Sequence, residues 1–559
     1  MPIEAKKIQD VFTGSRILEI PFFQRAYVWD EEQWERLLED VKDVSQNDKP
    51  YFVGALILKQ QQTRTLNICG DRRTVIDGQQ RLTTLCILLK VLCLKTDQMT
   101  RFDKRFRMDD GTFALVHNHN DEMAFAKIMN LTKEEDFVAE EDDRVTKAYR
   151  FFKERLDPNT VKYDAIMNGI LFVLIDLSAE EDEQQIFDTI NSLGVKLTVA
   201  ELLKNYFFSR DNRDQYELYW KKTFEQDKET RKYWDQGVTT GRNKRSVIDV
   251  FFHAYLQIKV NSSSVPIEGK DQFSRIDNLF ASYKRFDKKD KLSLGDINDY
   301  AKSFKKMFDP EIVGKILPAN PGIERINAII FGLETTTLIP YVLFIEKNVE
   351  DVATKNDLYD IIEAFVMRRI IDNASTKNYN QFFTDRLIHN KVLSRRAFVD
   401  YLKKQDNKAN DCPDDDRLKD AVKTRVLTNT KARGVLYFME SRIRSSEKQS
   451  TQLLGLEKYS LEHVMPKKWQ NRWAKLNTKQ EIDNRNEKLQ TLGNLTIITQ
   501  PLNSSMRDAD WKTKQKELTM YSYGIETFSD YLTREEWNET VIDERAEFLY
   551  KKALEVWGI

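Results

Sequence analysis

The spacing of apolar and polar positions changes character twice along the chain. Over residues 1–210 strand and helix patterns alternate. Phe52–Leu58 (FVGALIL) and Thr65–Cys69 have strand length and composition, with Thr74–Ile76 as a short third. Apolar residues then recur at Leu82, Leu85, Leu88, Leu89 and Leu92, a three-and-four spacing that predicts a helix over 81–94. The acidic segment Glu134–Asp143 predicts a solvated loop, Gly169–Leu177 a buried strand or helix, and Val199–Phe208 a helix. Residues 211–450 are mostly helical and charged, with breaks at Ser262–Gly269, Pro318–Gly322 and Asp406–Asp416. In 451–559, Tyr459–Val464 and Leu495–Thr499 predict strands and Ala509–Met520 a helix, a β–β–α order followed by an amphipathic helical tail. The expectation is an α+β, predominantly helical chain in three parts: 1–210, 211–450 and 451–559.

Composition narrows this picture. A chain of 559 residues has room for several domains and needs no disulfides to hold a core. Gly (19) and Pro (12) are scarce, which favours helices. Lys and Arg (88) balance Asp and Glu (89), so a uniformly basic, nucleic-acid-coating surface is excluded. The cysteines, Cys69, Cys86, Cys93 and Cys412, form no CxxC pair and read as reduced thiols of a reducing compartment. The N-terminus MPIEAKKIQDVF has no signal-peptide apolar region, and the longest purely apolar run, Ile170–Ile175, is far short of the ~20 residues that span a bilayer. A soluble, cytoplasmic protein without a membrane partner is expected. The five histidines, His117, His119, His253, His389 and His463, form no HExxH or His/Cys cluster, which argues against zinc.

The segment SLEHVMPKKW carries Glu462 and His463 at the end of a predicted strand, and LGNLTIITQPLNSSMRDADWKTK carries Asn494 before the second strand and Asn503 at a helix entry. Phosphodiester hydrolysis needs a base to activate water and positive charge on the scissile phosphate. A histidine suits the first task, and a carboxylate with an amide oxygen suits Mg²⁺ or Mn²⁺. Adjacent strand residues point to opposite faces, so Pro466 or a distorted strand end must bring Glu462 and His463 to one site.

Together these segments resemble the HNH (His-Me finger, ββα) motif, and EHVMP…LGNLTIIT…LN resembles the nuclease half of GmrSD-type restriction enzymes. The resemblance implies His463 as general base, Glu462 and Asn503 as metal ligands, and Asn494 as a residue fixing the histidine loop or the metal shell. Glu462 stands where the family more often has Asp. Lys467, Lys468, Arg507, Lys512 and Lys514 are candidate DNA phosphate contacts, with a solvated basic face as the alternative.

Two N-terminal segments carry a second constellation: IPFFQRAYVW with Gln24, Arg25, Tyr27 and Trp29, and VIDGQQRLTTL with Asp77, Gly78, Gln79, Gln80 and Arg81. The latter runs strand, turn, helix. Gly78 permits the tight turn, the helix N-terminus offers free N–H groups to an anion, and Arg81 can grip a phosphate bidentately. By chemistry alone a capped helix with an arginine salt bridge fits equally well. The pair resembles the GmrSD N-terminal domain, which implies a ParB/sulfiredoxin-like fold and a DGQQR motif that binds and hydrolyses nucleoside triphosphates. Phe187–Asn205, with Asn191, Gly194 and Lys204, resembles a later block of the same family. Gln24, Arg25, Asp77, Gly78, Gln79, Gln80 and Arg81 are thus the candidate nucleotide residues, with Asp77 and Gln80 as catalytic or metal-organising candidates. Tyr27 and Trp29 are either base-stacking or core residues. Arg368 and Arg369, on a predicted helix within Glu363–Phe383, face nucleic acid, the nucleotide or only solvent.

The resemblance implies an NTP-regulated, metal-dependent endonuclease that restricts modified phage DNA, such as DNA with glucosylated or hydroxymethylated cytosine, in bacterial defence. The alternatives are a nicking nuclease of the same architecture that senses phosphorothioate DNA and a non-catalytic DNA-binding regulator. A homodimer is the simplest way for two nicking centres to break both strands.

Overall fold

The computed structural model describes residues 3–22, 24, 26–47, 49–61, 71–138, 143–178, 199–208, 212–241, 243–263, 276, 279–287, 292–404, 410–444, 452–522 and 524–559. Contacts divide the chain into two compact units, Met1–Leu218 and Tyr219–Ile559. The architecture is α+β and predominantly helical, as the apolar pattern predicts.

Among the described residues, the first unit holds a mixed six-stranded sheet of β1 (Ile3–Lys7), β2 (Arg16–Glu19), β3 (Tyr51–Gln60), β4 (Asp71–Asp77), β5 (Leu115–Val116) and β6 (Ile170–Leu177), in the order β1-β6-β3-β4-β2-β5. The β3–β6, β2–β4 and β2–β5 pairs are parallel and the β1–β6 and β3–β4 pairs antiparallel. The expected strands within 52–58 and 74–76 are therefore real, 170–177 is a strand with Gly169 ending the helix before it, and 65–69 lies outside the described residues. Helix α1 (Glu31–Asn47) packs on this unit through Trp34, Leu37, Leu38, Val41 and Val44. Helix α2 (Gln79–Lys95) starts right after β4 and is buried on nearly every side, which its run of leucines requires. The first unit also contains α3 (Val199–Phe207).

Between β4 and α2 the chain turns at Gly78, with φ +105°. A Cβ there would lie 2.8 Å from Leu56 Cδ1, so both backbone and space demand glycine.

The second unit begins with helices around an aromatic core: Trp220, Phe224, Trp234, Phe251, Phe252 and Phe304 meet at ring-centroid distances of 4.8–5.9 Å. It also contains the antiparallel hairpin β7 (Gly237–Thr240) and β8 (Asn243–Ser246). Helices α4 (Val352–Ile371) and α5 (Asn429–Ile443) lead to β9 (Tyr459–His463) and β10 (Leu495–Thr499), an antiparallel pair in the register Leu495↔His463, Thr496↔Glu462 and Ile497↔Leu461. After β10 the chain departs from expectation. A short helix α6 (Gln500–Met506), started by Pro501, precedes α7 (Trp511–Tyr521), and Asn503 lies in the first turn of this added helix. The tail forms α8 (Glu539–Val556). No described helix is long and apolar enough to cross a membrane.

Candidate functional site

The β9–β10–α6 segment gathers the C-terminal candidates. His463 ends β9, half-buried, and no described residue hydrogen-bonds or ion-pairs with its imidazole. Burial and the nearby Lys467 and Lys514 ammonium groups pull its pKa down to about 4, so the ring is neutral at physiological pH. Asn494 is fully buried and fully committed. Its Oδ1 accepts from Met465 N and Trp537 Nε1 (both 2.9 Å), and its Nδ2 donates to Met465 O and Leu489 O (both 2.9 Å). Val464 N also donates to Asn494 O at 3.0 Å. Asn494 thus locks the loop after His463 and has no oxygen to spare for a cation.

Glu462, one residue earlier, points the other way and is only 4% exposed. Its carboxylate takes the ammonium of Lys514, and Lys514 Nζ also donates to His463 O at 2.8 Å. Burial raises the Glu462 pKa and lowers that of Lys514, and their attraction opposes both shifts. Asn503 Nδ2 donates to Leu461 O at 2.9 Å, which fastens α6 across β9. A Mg²⁺ or Mn²⁺ ion at Glu462 would meet the Lys514 ammonium already seated there. The expected Glu462/Asn503 ligand pair therefore does not fit a cation as placed.

Lys514 also departs from its expected place among the phosphate contacts. It is 0% exposed, because α7 packs it against β9. Lys467, Lys468, Arg507 and Lys512 are exposed. Arg507 closes α6 with φ 43°, a strained backbone for an arginine. Sequence reasoning missed Trp537 and Arg545. Arg545, fully buried on α8, donates through Nη1 to Leu492 O (3.1 Å), Gly493 O (2.8 Å) and Leu495 O (2.7 Å) and so braces the turn that carries Asn494. Both lie in a stretch whose pattern reads only as a helical tail.

In the first unit the N-terminal motifs meet. Gln80 Oε1 accepts from Val28 N (2.9 Å) and Trp29 N (3.3 Å), and its Nε2 donates to Ala26 O (3.4 Å), so DGQQR pins the backbone of IPFFQRAYVW. Gln80 is a fastener here, with both ends of its amide bonded to backbone. Gln24, buried, accepts from Asn205 Nδ2 at 3.1 Å, which joins the third motif. Arg25, Asn191 and Gly194 lie outside the described residues. Tyr27 is a core residue: its hydroxyl meets Thr84 Oγ1 (2.6 Å) and Trp34 Nε1 (2.7 Å), and burial pushes its pKa far up. Trp29 packs partly buried against the same core. Gln79 is buried, and Lys204 is nearly so. Nearby, Thr83 Oγ1 bonds His117 Nε2 at 2.8 Å and Asp121 Oδ2 accepts from Tyr27 N at 2.7 Å; burial drops the His117 pKa to about 3.

Asp77 is exposed and Arg81 is half-buried beside it. Arg81 Nη2 donates to Ala55 O (2.5 Å) and Asp77 Oδ2 (3.0 Å), and its Nε is buried with no hydrogen-bond partner among the described residues. A Cβ on Gly54, φ +126°, would lie 3.3 Å from the guanidinium, so glycine lets Arg81 rest on β3. The first turn of α2 holds no acidic residue, and Gly78 supplies no side-chain cap. Its N–H groups and Arg81 are chemically suited to a phosphate.

Arg368 and Arg369 face neither nucleic acid nor solvent. Arg368 donates to Trp557 O (2.7 Å), Pro413 O (3.0 Å) and Asp415 Oδ1 (2.8 Å), and Arg369 to Asp411 O (2.6 Å) and Ser375 O (2.7 Å). Both are buried clamps within the second unit.

Residues 8–208 match the family model described as GmrSD restriction endonuclease, N-terminal domain, and residues 412–552 match GmrSD restriction endonucleases, C-terminal domain. No curated protein matches the chain.

Proposed function

The chain belongs to the GmrSD restriction endonucleases, with both family domains in order on one polypeptide, and from that premise we propose an NTP-regulated DNA endonuclease of the HNH type that restricts modified phage DNA in the bacterial cytoplasm. The observation that carries the reading is the state of His463. Its peptide is held on both sides while its imidazole stays neutral and unpartnered at the end of the first strand of a β–β–α segment. Such a ring is ready to take a proton from water attacking a phosphodiester. Lys467, Lys468, Arg507 and Lys512, all exposed, would hold the flanking phosphates.

In the first unit, read as ParB/sulfiredoxin-like, Arg81 and the first-turn N–H groups of α2 would hold the phosphates of a nucleoside triphosphate. Asp77, exposed and paired with Arg81, would orient water. Gln24 and Gln80 would act by holding the surrounding segments together. Divalent-cation dependence enters this reading through the family resemblance. The cation would neutralise charge on the scissile phosphate, from donors other than the Glu462 carboxylate as it stands. Action as a homodimer on double-stranded DNA completes the reading.

The test is cleavage of phage DNA carrying glucosylated or hydroxymethylated cytosine against unmodified DNA, with and without NTP and Mg²⁺ or Mn²⁺. The expected result is cation-dependent cutting of the modified DNA alone, at a rate that NTP changes. Equal cutting of both DNAs, or of neither, would contradict the reading.

A further inference from the structure

We infer that the buried Glu462–Lys514 pair is a clamp on the His463 peptide, a positioning device for the general base and not half of a metal site. The inference rests on the nuclease reading of His463.

The geometry carries it. Four backbone polar atoms in the tripeptide His463–Met465 have identified partners. His463 O receives Lys514 Nζ at 2.8 Å, and the Glu462 carboxylate holds that ammonium in place. Val464 N goes to Asn494 O at 3.0 Å, and Met465 N and O both bond the Asn494 side chain at 2.9 Å. Glu462 and Lys514 therefore do on one side of the loop what Asn494 does on the other. Burying an ion pair costs several kcal/mol of desolvation per ion and is repaid only where the remaining hydrogen-bonding capacity is also used. Here the Lys514 ammonium spends a further hydrogen bond on the backbone of the residue that bears the base. A general base displaced by about 1 Å loses on the order of 10²-fold in rate, so holding this one peptide matters to the chemistry. The same arrangement seats an ammonium where a cation bound by Glu462 would have to lie. Neither Glu462 nor Lys514 is exposed enough to reach a DNA backbone.

The test uses the full chain as E462Q, K514M and the double variant. Each single variant is expected to lower kcat for modified DNA on the order of 10²-fold with little change in KM, and the double to cost no more than the worse single, since both remove one device. In the DNA-free protein, Mn²⁺ titration followed by electron paramagnetic resonance is expected to give the same isotherm for wild type and E462Q. The His463 Cε1–H resonance, assigned by its loss in H463Q, is expected to be single in wild type and broadened or split in the double variant. The double variant leaves no unpaired buried charge, so it reports even where a single variant does not fold. The clamp is overturned if K514M cleaves at the wild-type rate, if E462Q alone weakens Mn²⁺ binding by about tenfold or more, or if the double variant leaves the resonance unchanged. Failure of the wild type to cleave any DNA would instead strike the nuclease reading, while the resonance would still report on the clamp.

Discussion

A histidine that acts as a base must be unprotonated, and burial of His463 beside Lys467 and Lys514 favours that form well below the ordinary value of 6.5. The acid limb of kcat/KM for DNA cleavage is therefore expected near pH 4, with activity lost only as pH falls through that range. A limb at 6.5 in the pH–rate profile would mean that the ring is solvated in the working enzyme. Asn494 is the other residue whose environment decides its role. Asn494→Ala would leave Met465 N–H, Met465 O, Leu489 O and the Trp537 indole N–H without their buried partner. At about 1–3 kcal/mol for each stranded group, a loss of at least ~3 kcal/mol is expected in denaturant unfolding. Side-chain identity was legible at this scale and side-chain commitment was not. EHVMP and LGN mark His463 and Asn494, but the partner of Glu462 lies 52 positions away on another helix. Lys514 in the sequence is one lysine among several.

Helices decide which way their residues face, and the two arginines of α4 illustrate the point. The second half of α4 is buried all round, so Arg368 and Arg369 satisfy backbone carbonyls instead of meeting solvent. A single-sequence pattern that shows charge on a helix suggests a wet face, and only the packing of the neighbouring segments reveals otherwise. Arg369→Met is expected to destabilise the protein by about 3 kcal/mol or more, since it strands buried carbonyls. The salt dependence of DNA binding should stay unchanged. A reduced salt slope in binding titrations with undiminished stability would put this arginine on DNA instead. The strand borders of β9 and β10 were legible because short apolar runs are bounded by turn residues. Helix α6 was not, because Pro501, Asn503 and two serines within seven residues carry no helical period. Helix α2 was legible from its leucines, and its N-terminus supports another expectation. Arg81→Ala should reduce NTP hydrolysis, measured as phosphate release, by removing the guanidinium beside the uncapped first turn. Unchanged release would remove the nucleotide from this end of α2.

At the scale of the whole molecule, the near-zero net charge first excludes a uniformly basic surface and then turns out compatible with a nuclease. A few cationic side chains, Arg325, Arg368, Arg369, Lys514 and Arg545 among them, are buried, and the exposed lysines flanking His463 are few and local. The sequence order of the two family domains reveals the class of enzyme. It does not reveal that the first unit fastens its motifs together through Gln24 and Gln80, because those contacts run between segments far apart in the chain. The central claim is that DNA is cut at His463. It is tested most directly by comparing wild type and His463→Ala for cleavage of modified phage DNA and for NTP turnover in the same preparation. Loss of a general base is expected to lower cleavage by roughly 10²–10⁴-fold, with NTP turnover and the unfolding midpoint close to wild type. Cleavage by His463→Ala at the wild-type rate would contradict the account.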